Sequence, residues 1–390
     1  MPSIMWILVS ISGGFFAGFT LSWQICLAAC GGLAWLAAAE LVPSATILYF
    51  AAACAVAVSG PRPVRGFHSS TRPDPELLGE RMRLRAASAI DRAFETDAPT
   101  ARALLVADQS EIPRDVKQAY ADAGIVHMLA ISGLHVSIVA ASLALVLNLI
   151  RIPGRLASFM TAGIIIGYVF MLGFPPPALR AAVMVCTATA AHASQRHTSR
   201  WSILALGGIV PLVKPETVLA VGYQLSMAGM AAVIAAGALT KRGRLRKLRG
   251  WRRSIAQSLV VSGVATLVTA PLVACSFGRL SLIGPITNLV ADPVIAVVQP
   301  MLFLALVLSP WPAAAHFVAA AAHPLLVAFE TVARTAASVP FAAIPVSVSP
   351  VAVVLSIVAA VAFIAACTSR FPGRSMAIAV TALSLTIWTA

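Results

Sequence analysis

The chain has 390 residues, 59% hydrophobic and 11% charged, with a formal net charge of +14. Its mean hydropathy is +0.90. Soluble domains carry about 25% charged residues, and a water-soluble fold has too little interior to hide this much apolar surface. The composition excludes a soluble globular protein and fits spans that lipid solvates and whose backbone groups bond among themselves.

Apolar runs near the ~20 residues needed to cross a bilayer fall at Ile4–Leu21, Ile25–Ala39, Pro43–Val58, Ile125–Ile150, Pro153–Phe174, Pro177–Ala193, Trp201–Val213, Thr217–Leu239 and Ile255–Cys275. Beyond these, Leu280–Val298 is interrupted by Pro285, Asn288, Asp292 and Pro293, and Met301–Trp311 is short. Val351–Cys367 and Met376–Trp388 are two final spans. The pattern predicts an all-α polytopic integral membrane protein with roughly 10–12 transmembrane helices, broken or re-entrant segments included. The first run lacks a basic start and a small-residue cleavage site, so it reads as an anchor and not a cleaved signal. All six cysteines (Cys26, Cys30, Cys54, Cys186, Cys275, Cys367) lie in apolar runs without metal-ligand spacing and read as small apolar side chains. No metal site and no cofactor are expected.

Charge is unevenly placed. Pro61–Gly124 holds ten Lys+Arg and ten Asp+Glu, leaving 18 basic and 4 acidic residues for the rest. Within it, Glu76–Phe94 and Pro99–Ala123 read as two charged helices, in a segment whose core is marginal by itself. The densest basic cluster comprises Lys241, Arg242, Arg244, Arg246, Lys247, Arg249, Arg252 and Arg253. A short loop this basic is retained in the cytoplasm. It either sets topology and touches anionic lipid or contacts phosphates at the exit of a nucleic-acid path. With this loop inside, the Arg196/Arg200 loop and the Arg151/Arg155 turn also fall inside, and Pro61–Gly124 falls outside. Arg370 and Arg374 mark a further inside loop, which leaves the C-terminus outside.

Five stretches place polar groups in apolar surroundings. Gly124–Ala140 reads GIVHMLAISGLHVSIVA and carries His127, Ser132, Gly133 and His135 at the outer end of a span. On a continuous helix Ser132 lies about 60° and His127 about 80° from His135, within one broad face; Ser-Gly is also a place for a helix to kink. Such groups either line a cavity or bond to neighbouring helices. In Phe174–Met184, FPPPALRAAVM, Arg180 sits one turn into a span, where it snorkels outward or faces inward to bind a phosphate or pair with a carboxylate, Asp292 being one candidate. Val221–Met230 carries Gln224 and Ser226 between glycines. Ala270–Pro300 carries Asn288 and Asp292 one turn apart among prolines, the pattern of a broken helix lining a transport path. In Ala313–Ala336, His316, His323, Glu330 and Arg334 fall within about 40° on a wheel, and the stretch reads as an amphipathic helix at the interface, with Pro324 interrupting it.

HMLAISGLHV at His127–Val136 resembles the signature of the ComEC competence-protein family. Three more stretches resemble that family in the same order: PALRAAVM at Pro177–Met184, GYQLSMAGM at Gly222–Met230 and FGRLSLIGPITNLVADPV at Phe277–Val294. ALLVADQSEIPRDVKQAYADAGIVHML resembles the lead into its membrane domain, although ALLVADQ departs from the more glycine-containing version usual there. The resemblance covers most of the chain. It implies an inner-membrane channel component that brings single-stranded DNA into the bacterial cytoplasm during natural transformation. By position, His127, Ser132, Gly133, His135, Arg180, Gln224, Asn288 and Asp292 would line or support the path.

The implied organisation is N-terminal transmembrane helices over 1–60, a short extracytoplasmic helical segment over 61–124 and a competence-type transmembrane channel domain over 125–390. The implied partners are single-stranded DNA, membrane lipids, an external DNA receptor, a cytoplasmic helicase or motor, and further copies of the chain. The OB-like domain and the metallo-β-lactamase-like domain of many members are expected to be absent. No His-x-His-x-Asp-His motif and no nucleophile–base pair with usable spacing occur, so no enzymatic activity and no catalytic residue are expected. Two alternatives stand beside the channel: a transporter of another anionic solute, and a degenerate non-transporting remnant.

Overall fold

The structure, a computed structural model, describes residues 3–20, 45–59, 78–194, 198–241, 249–346 and 350–368. Among these residues fifteen α-helices run in chain order. They are α1 Ser3–Thr20, α2 Ala45–Ser59, α3 Leu78–Phe94, α4 Ala98–Val106, α5 Arg114–Asp122, α6 Val126–Leu129, α7 Gly133–Leu149, α8 Gly154–Met171, α9 Pro176–Ala193, α10 Arg200–Ile209, α11 Val221–Leu239, α12 Gly250–Phe277, α13 Gly284–Val307, α14 Pro312–Ala337 and α15 Pro350–Thr368. Two three-residue strands, β1 Arg279–Ser281 and β2 Ala343–Pro345, pair antiparallel with Leu280 opposite Ile344. The anticipated spans Ile25–Ala39 and Met376–Trp388, Cys26, Cys30, and the Arg370/Arg374 loop lie outside the described residues.

Five of these helices (α8, α11, α12, α13 and α14) are long and apolar enough to cross a membrane. Large apolar side chains stand exposed along them, Phe159 and Phe317 among them. That surface suits lipid and not water. The chain is an all-α multi-pass membrane protein.

The chain divides into two compact units. One comprises residues 1–81 and 143–224, the other residues 82–142 and 225–390. In the first, α1 packs on α2 and α10, and α9 packs on α8 and α10. Small side chains on α9 (Ala178, Ala181, Ala182) are buried and let neighbouring backbones approach. Ser199 caps α10, its Oγ accepting from the N–H of Trp201 at 3.3 Å.

In the second unit, α12 and α13 pack together and α13 packs against α14. Ala232 and Ala236 of α11, Val264 and Val268 of α12, and Phe363 and Ile364 of α15 share an apolar cluster. α12 ends at Gly278, a left-handed residue whose N–H returns to Ala274 O. α13 starts on Gly284-Pro285, proline being suited to a first helical turn.

Prolines do not break these spans. Pro271 lies inside α12, Pro293 and Pro300 inside α13, and Pro324 inside α14. The interruptions foreseen at Leu280–Val298 and at Pro324 are therefore corrected, and most of the short run Met301–Trp311 continues α13. Each proline removes one backbone donor. Ending the helix inside lipid would strand several more groups, so continuing is the cheaper arrangement.

Residues 82–125 form a charged layer in the second unit. The second helix foreseen at Pro99–Ala123 is two helices, α4 and α5. Ala107 takes the left-handed conformation (φ 58°) and closes α4, its N–H bonding to Arg102 O. Arg102 then reaches Glu111 at 2.6 Å, Asp91 at 3.5 Å and Asp108. The layer is strapped to the long helices. Buried Gln299 of α13 donates to Leu104 O at 3.1 Å, and Ser281 Oγ donates to Asp122 O at 2.9 Å. Arg279 pairs with Asp122 at 3.0 Å, and Tyr120 stacks on Phe329 of α14 with ring centres 5.2 Å apart. The polar stripe anticipated on α14 faces this layer in part: His323 Nδ1 lies 2.6 Å from Asp97, and Arg334 pairs with Glu330 and Asp115.

Candidate functional site

The His127–Val136 stretch is broken where Ser-Gly allowed a kink. α6 stops at Ala130, which is extended (φ −92°, ψ 140°), and α7 begins at Gly133. The shared helical face derived for His127, Ser132 and His135 is thereby corrected, because the wheel assumed an unbroken helix. His127 belongs to α6, across the break from α7. Gln109 stabilises the break by donating to Leu129 O at 3.0 Å.

Ser132 and His135 still meet, for a local reason. The Ser132 carbonyl accepts from Val136 N–H at 3.4 Å, and the Ser132 N–H donates to His135 Nδ1 at 3.1 Å. Ser132 Oγ lies 2.9 Å from the same nitrogen. This is one arm of a capping box, with histidine standing in for the Glu or Gln that reaches back to the N-cap N–H. An Nδ1 that accepts a backbone proton carries none, so the ring proton sits on Nε2. His135 is fully buried, and Nε2 has no partner among the described residues. Half-buried Gly133 opens α7 beside them.

Arg180 is buried at 4% exposure within the first unit. Its Nη1 reaches Met184 Sδ at 3.9 Å, and its Nε is without a partner among the described residues. Neither Arg180 nor Asp292 forms an ion pair among the described residues. Tyr223 OH donates to Gly208 O at 3.1 Å and lies 3.3 Å from Ser12 Oγ. Gln224 turns back on its own entry segment, donating to Val218 O at 2.9 Å.

Asn288 and Asp292 share a face of α13, one turn apart. Asn288 Nδ2 donates to Ser262 Oγ of α12 at 2.7 Å, while its buried Oδ1 has no partner among the described residues. The carboxylate of half-buried Asp292 makes no hydrogen bond among the described residues. The sequence reading missed Ser262 and Tyr223. The signals were present, a serine before glycine in an apolar run and a tyrosine beside Gln224. Within the basic loop, Lys241, Arg249, Arg252 and Arg253 are exposed, and the Arg252 guanidinium lies 5.5 Å from the Trp251 ring centre. Arg242, Arg244, Arg246 and Lys247 lie outside the described residues. No group of three or more His, Cys, Asp or Glu side chains is arranged to hold a metal among the described residues.

Comparison with known proteins places these residues in a family. The chain is 30% identical to ComE operon protein 3 of Bacillus subtilis over 193 residues, 49% of this chain and 24% of that protein. It is 32% identical to Competence protein ComA of Neisseria gonorrhoeae over 205 residues, 49% of this chain and 28% of that one. Against the uncharacterized protein YcaI of Escherichia coli it is 30% identical over 215 residues, 51% of this chain and 27% of the relative. The chain thus spans about a quarter of the length of these relatives. No solved structure matches. The Competence protein family model matches residues 104–371, from the buried end of α4 past the last described helix. That stretch contains the Ser132–His135 cap, Arg180, and the Asn288–Ser262 pair, and the chain belongs to the Competence protein family.

Proposed function

We propose that this chain is a component of a bacterial inner-membrane channel that passes single-stranded DNA into the cytoplasm during natural transformation. The observation that carries the reading is on α12 and α13, where Ser262, Asn288 and Asp292 hold hydroxyl, amide and carboxylate groups within bilayer-length helices. Asn288 keeps an unused acceptor and Asp292 an unpaired carboxylate among the described residues. Groups of this kind are costly in lipid and suit a wetted path. A nucleic-acid strand needs such a path, screened phosphates and little sequence preference. The exposed Arg249, Arg252 and Arg253 suit phosphate screening at one end, and the names of the matching family and of one relative speak of competence.

A second reading, transport of another anionic solute, is favoured by Arg180, a buried cation without an ion-pair partner among the described residues. The partners proposed for the channel are single-stranded DNA, membrane lipids, an external DNA receptor, a cytoplasmic helicase or motor, and further copies of the chain. No enzymatic step is assigned to it.

The test is transformation of the host with linear chromosomal DNA, with electroporated plasmid as the control for later steps. Deletion of the gene should abolish natural transformation and leave electroporation intact. A deletion strain that transforms like the parent removes the channel reading and leaves the anionic-solute transporter.

A further inference from the structure

Arg180 has no ion-pair partner among the described residues. It is 4% exposed, its Nη1 reaches a thioether at 3.9 Å, and Nε has no partner among the described residues. A guanidinium stays protonated at any physiological pH and presents five N–H donors in a planar fork. Taking such an ion out of water is unfavourable unless an anion accompanies it. Tyr223 gives its own proton to Gly208 O. Gly207 lies flush against the side chain: a Cβ there would come within 3.0 Å of Arg180 Cγ and 2.8 Å of Met184 Cγ. The missing Cβ lets α10 lie directly on the stem of Arg180.

We propose that Arg180 is an oxyanion site and that its occupant is a phosphodiester group of the translocated strand, an inference that rests on the function proposed above. A phosphodiester carries one negative charge on two non-bridging oxygens. These match the two parallel donors of the fork, and the pair is neutral as a whole. A phosphate monoester would bring a second negative charge, and Arg180 has one positive charge to set against it.

The probe is dimethyl phosphate, added at constant ionic strength to the full chain in a maltoside detergent, where no lipid phosphate competes. Binding to the folded state alone raises the unfolding temperature, and we expect roughly 2–4 °C for the wild type at saturating probe. Arg180→Gln should fold and lose the shift, and Arg180→Lys should keep only part of it, because an ammonium is a point charge without the fork. No shift in the wild type, or an equal shift in Arg180→Gln, overturns the site. An oligothymidylate should reproduce the Arg180-dependent shift. A shift obtained with short-chain phosphatidylglycerol but not with the oligonucleotide overturns the strand as occupant. The two proposals fail separately. Loss of transformation on deletion without a dimethyl phosphate shift removes this site and keeps the channel. An Arg180-dependent shift in a protein whose deletion strain transforms normally removes both the channel and the strand.

Discussion

The Ser132 backbone N–H points at His135 Nδ1, 3.1 Å away, and so fixes the imidazole proton on a buried Nε2. Nitrogen-15 spectra of the histidine ring should therefore show the Nε2–H tautomer. Two substitutions separate the cap from the ring. Glutamine at position 135 can accept the same N–H, as in an ordinary capping box, whereas alanine cannot and should cost about 1 kcal/mol. We expect His135→Ala to lower the unfolding midpoint and His135→Gln to hold it. Transformation lost in both variants assigns the effect to Nε2–H; transformation kept in His135→Gln reduces the histidine to a cap.

Asn288 offers a comparable separation. Ser262→Ala removes the one partner of its Nδ2 among the described residues, and interhelical hydrogen bonds in membranes are worth about 0.6 kcal/mol on average. A small loss of stability is expected. Asn288→Leu removes donor and acceptor together, so folding should stay near the parent level while DNA uptake falls. Uptake at the parent level in Asn288→Leu would exclude this amide from the path.

Gly124 links the charged layer to α13 through a close approach. It has φ +77°, and a Cβ there would meet Ser281 Oγ at 2.7 Å and Gly284 Cα at 2.8 Å. Gly124→Ala combines left-handed strain of about 1–2 kcal/mol with overpacking of about 1–3 kcal/mol. Gly250 is also left-handed (φ +59°), but nothing lies within 4 Å of its Cβ position. Gly250→Ala should therefore carry the strain alone. Yields of folded, detergent-extracted protein should fall sharply for Gly124→Ala and little for Gly250→Ala. Equal yields would mean that the contact with Ser281 and Gly284 is not tight.

Acid should loosen the charged layer through Asp108. Burial pushes this carboxyl up, but the Ser110 hydroxyl and N–H, and then Arg102, outweigh burial and bring it from 3.8 down to about 2. A carboxyl lowered on folding adds stability above its unfolded value and loses that contribution as the pH falls through its folded value. The window is therefore about pH 4 down to about 2. The gain is about 1 kcal/mol or less after solvent screening. Amide-exchange protection over Ala98–Asp122, corrected for intrinsic rates, should fall across that window in the wild type. In Arg102→Ala the fall should begin at higher pH. Identical profiles would show that Arg102 does not hold the carboxylate.

The membrane class was legible because lipid imposes it on composition, and helix bounds such as Pro177–Ala193 followed from prolines and apolar length. The failures came from local rules that tertiary context overrode. A wheel cannot see that Ala130 turns extended, so it joined His127 to a face it does not share. Pro293 and Pro324 read as breaks, because sequence alone does not show that lipid makes an interrupted helix costlier than a proline inside one. The split between α4 and α5 had a signal, Pro113 after the polar Asp108–Glu111, which the charged pattern obscured. Contacts such as Gln299 with Leu104, 195 positions apart, leave no local trace. Asn288 was singled out from its surroundings; its partner Ser262 required the packing of α12 on α13.

Those distant straps set an order of assembly. α4 and α5 emerge from the ribosome well before the residues that fasten them: Ser281 follows Asp122 by 159 positions and Gln299 follows Leu104 by 195. At about 5–20 residues per second, the first-made layer waits roughly 10–40 s for its partners. During that interval Leu104, Leu105 and Tyr120, all buried in the finished protein, lack the faces of α13 and α14 that later cover the layer. Cells making this protein thus pass through a stage in which the charged layer is open to proteases and holdases, and anything that slows synthesis between α5 and α13 prolongs that exposure.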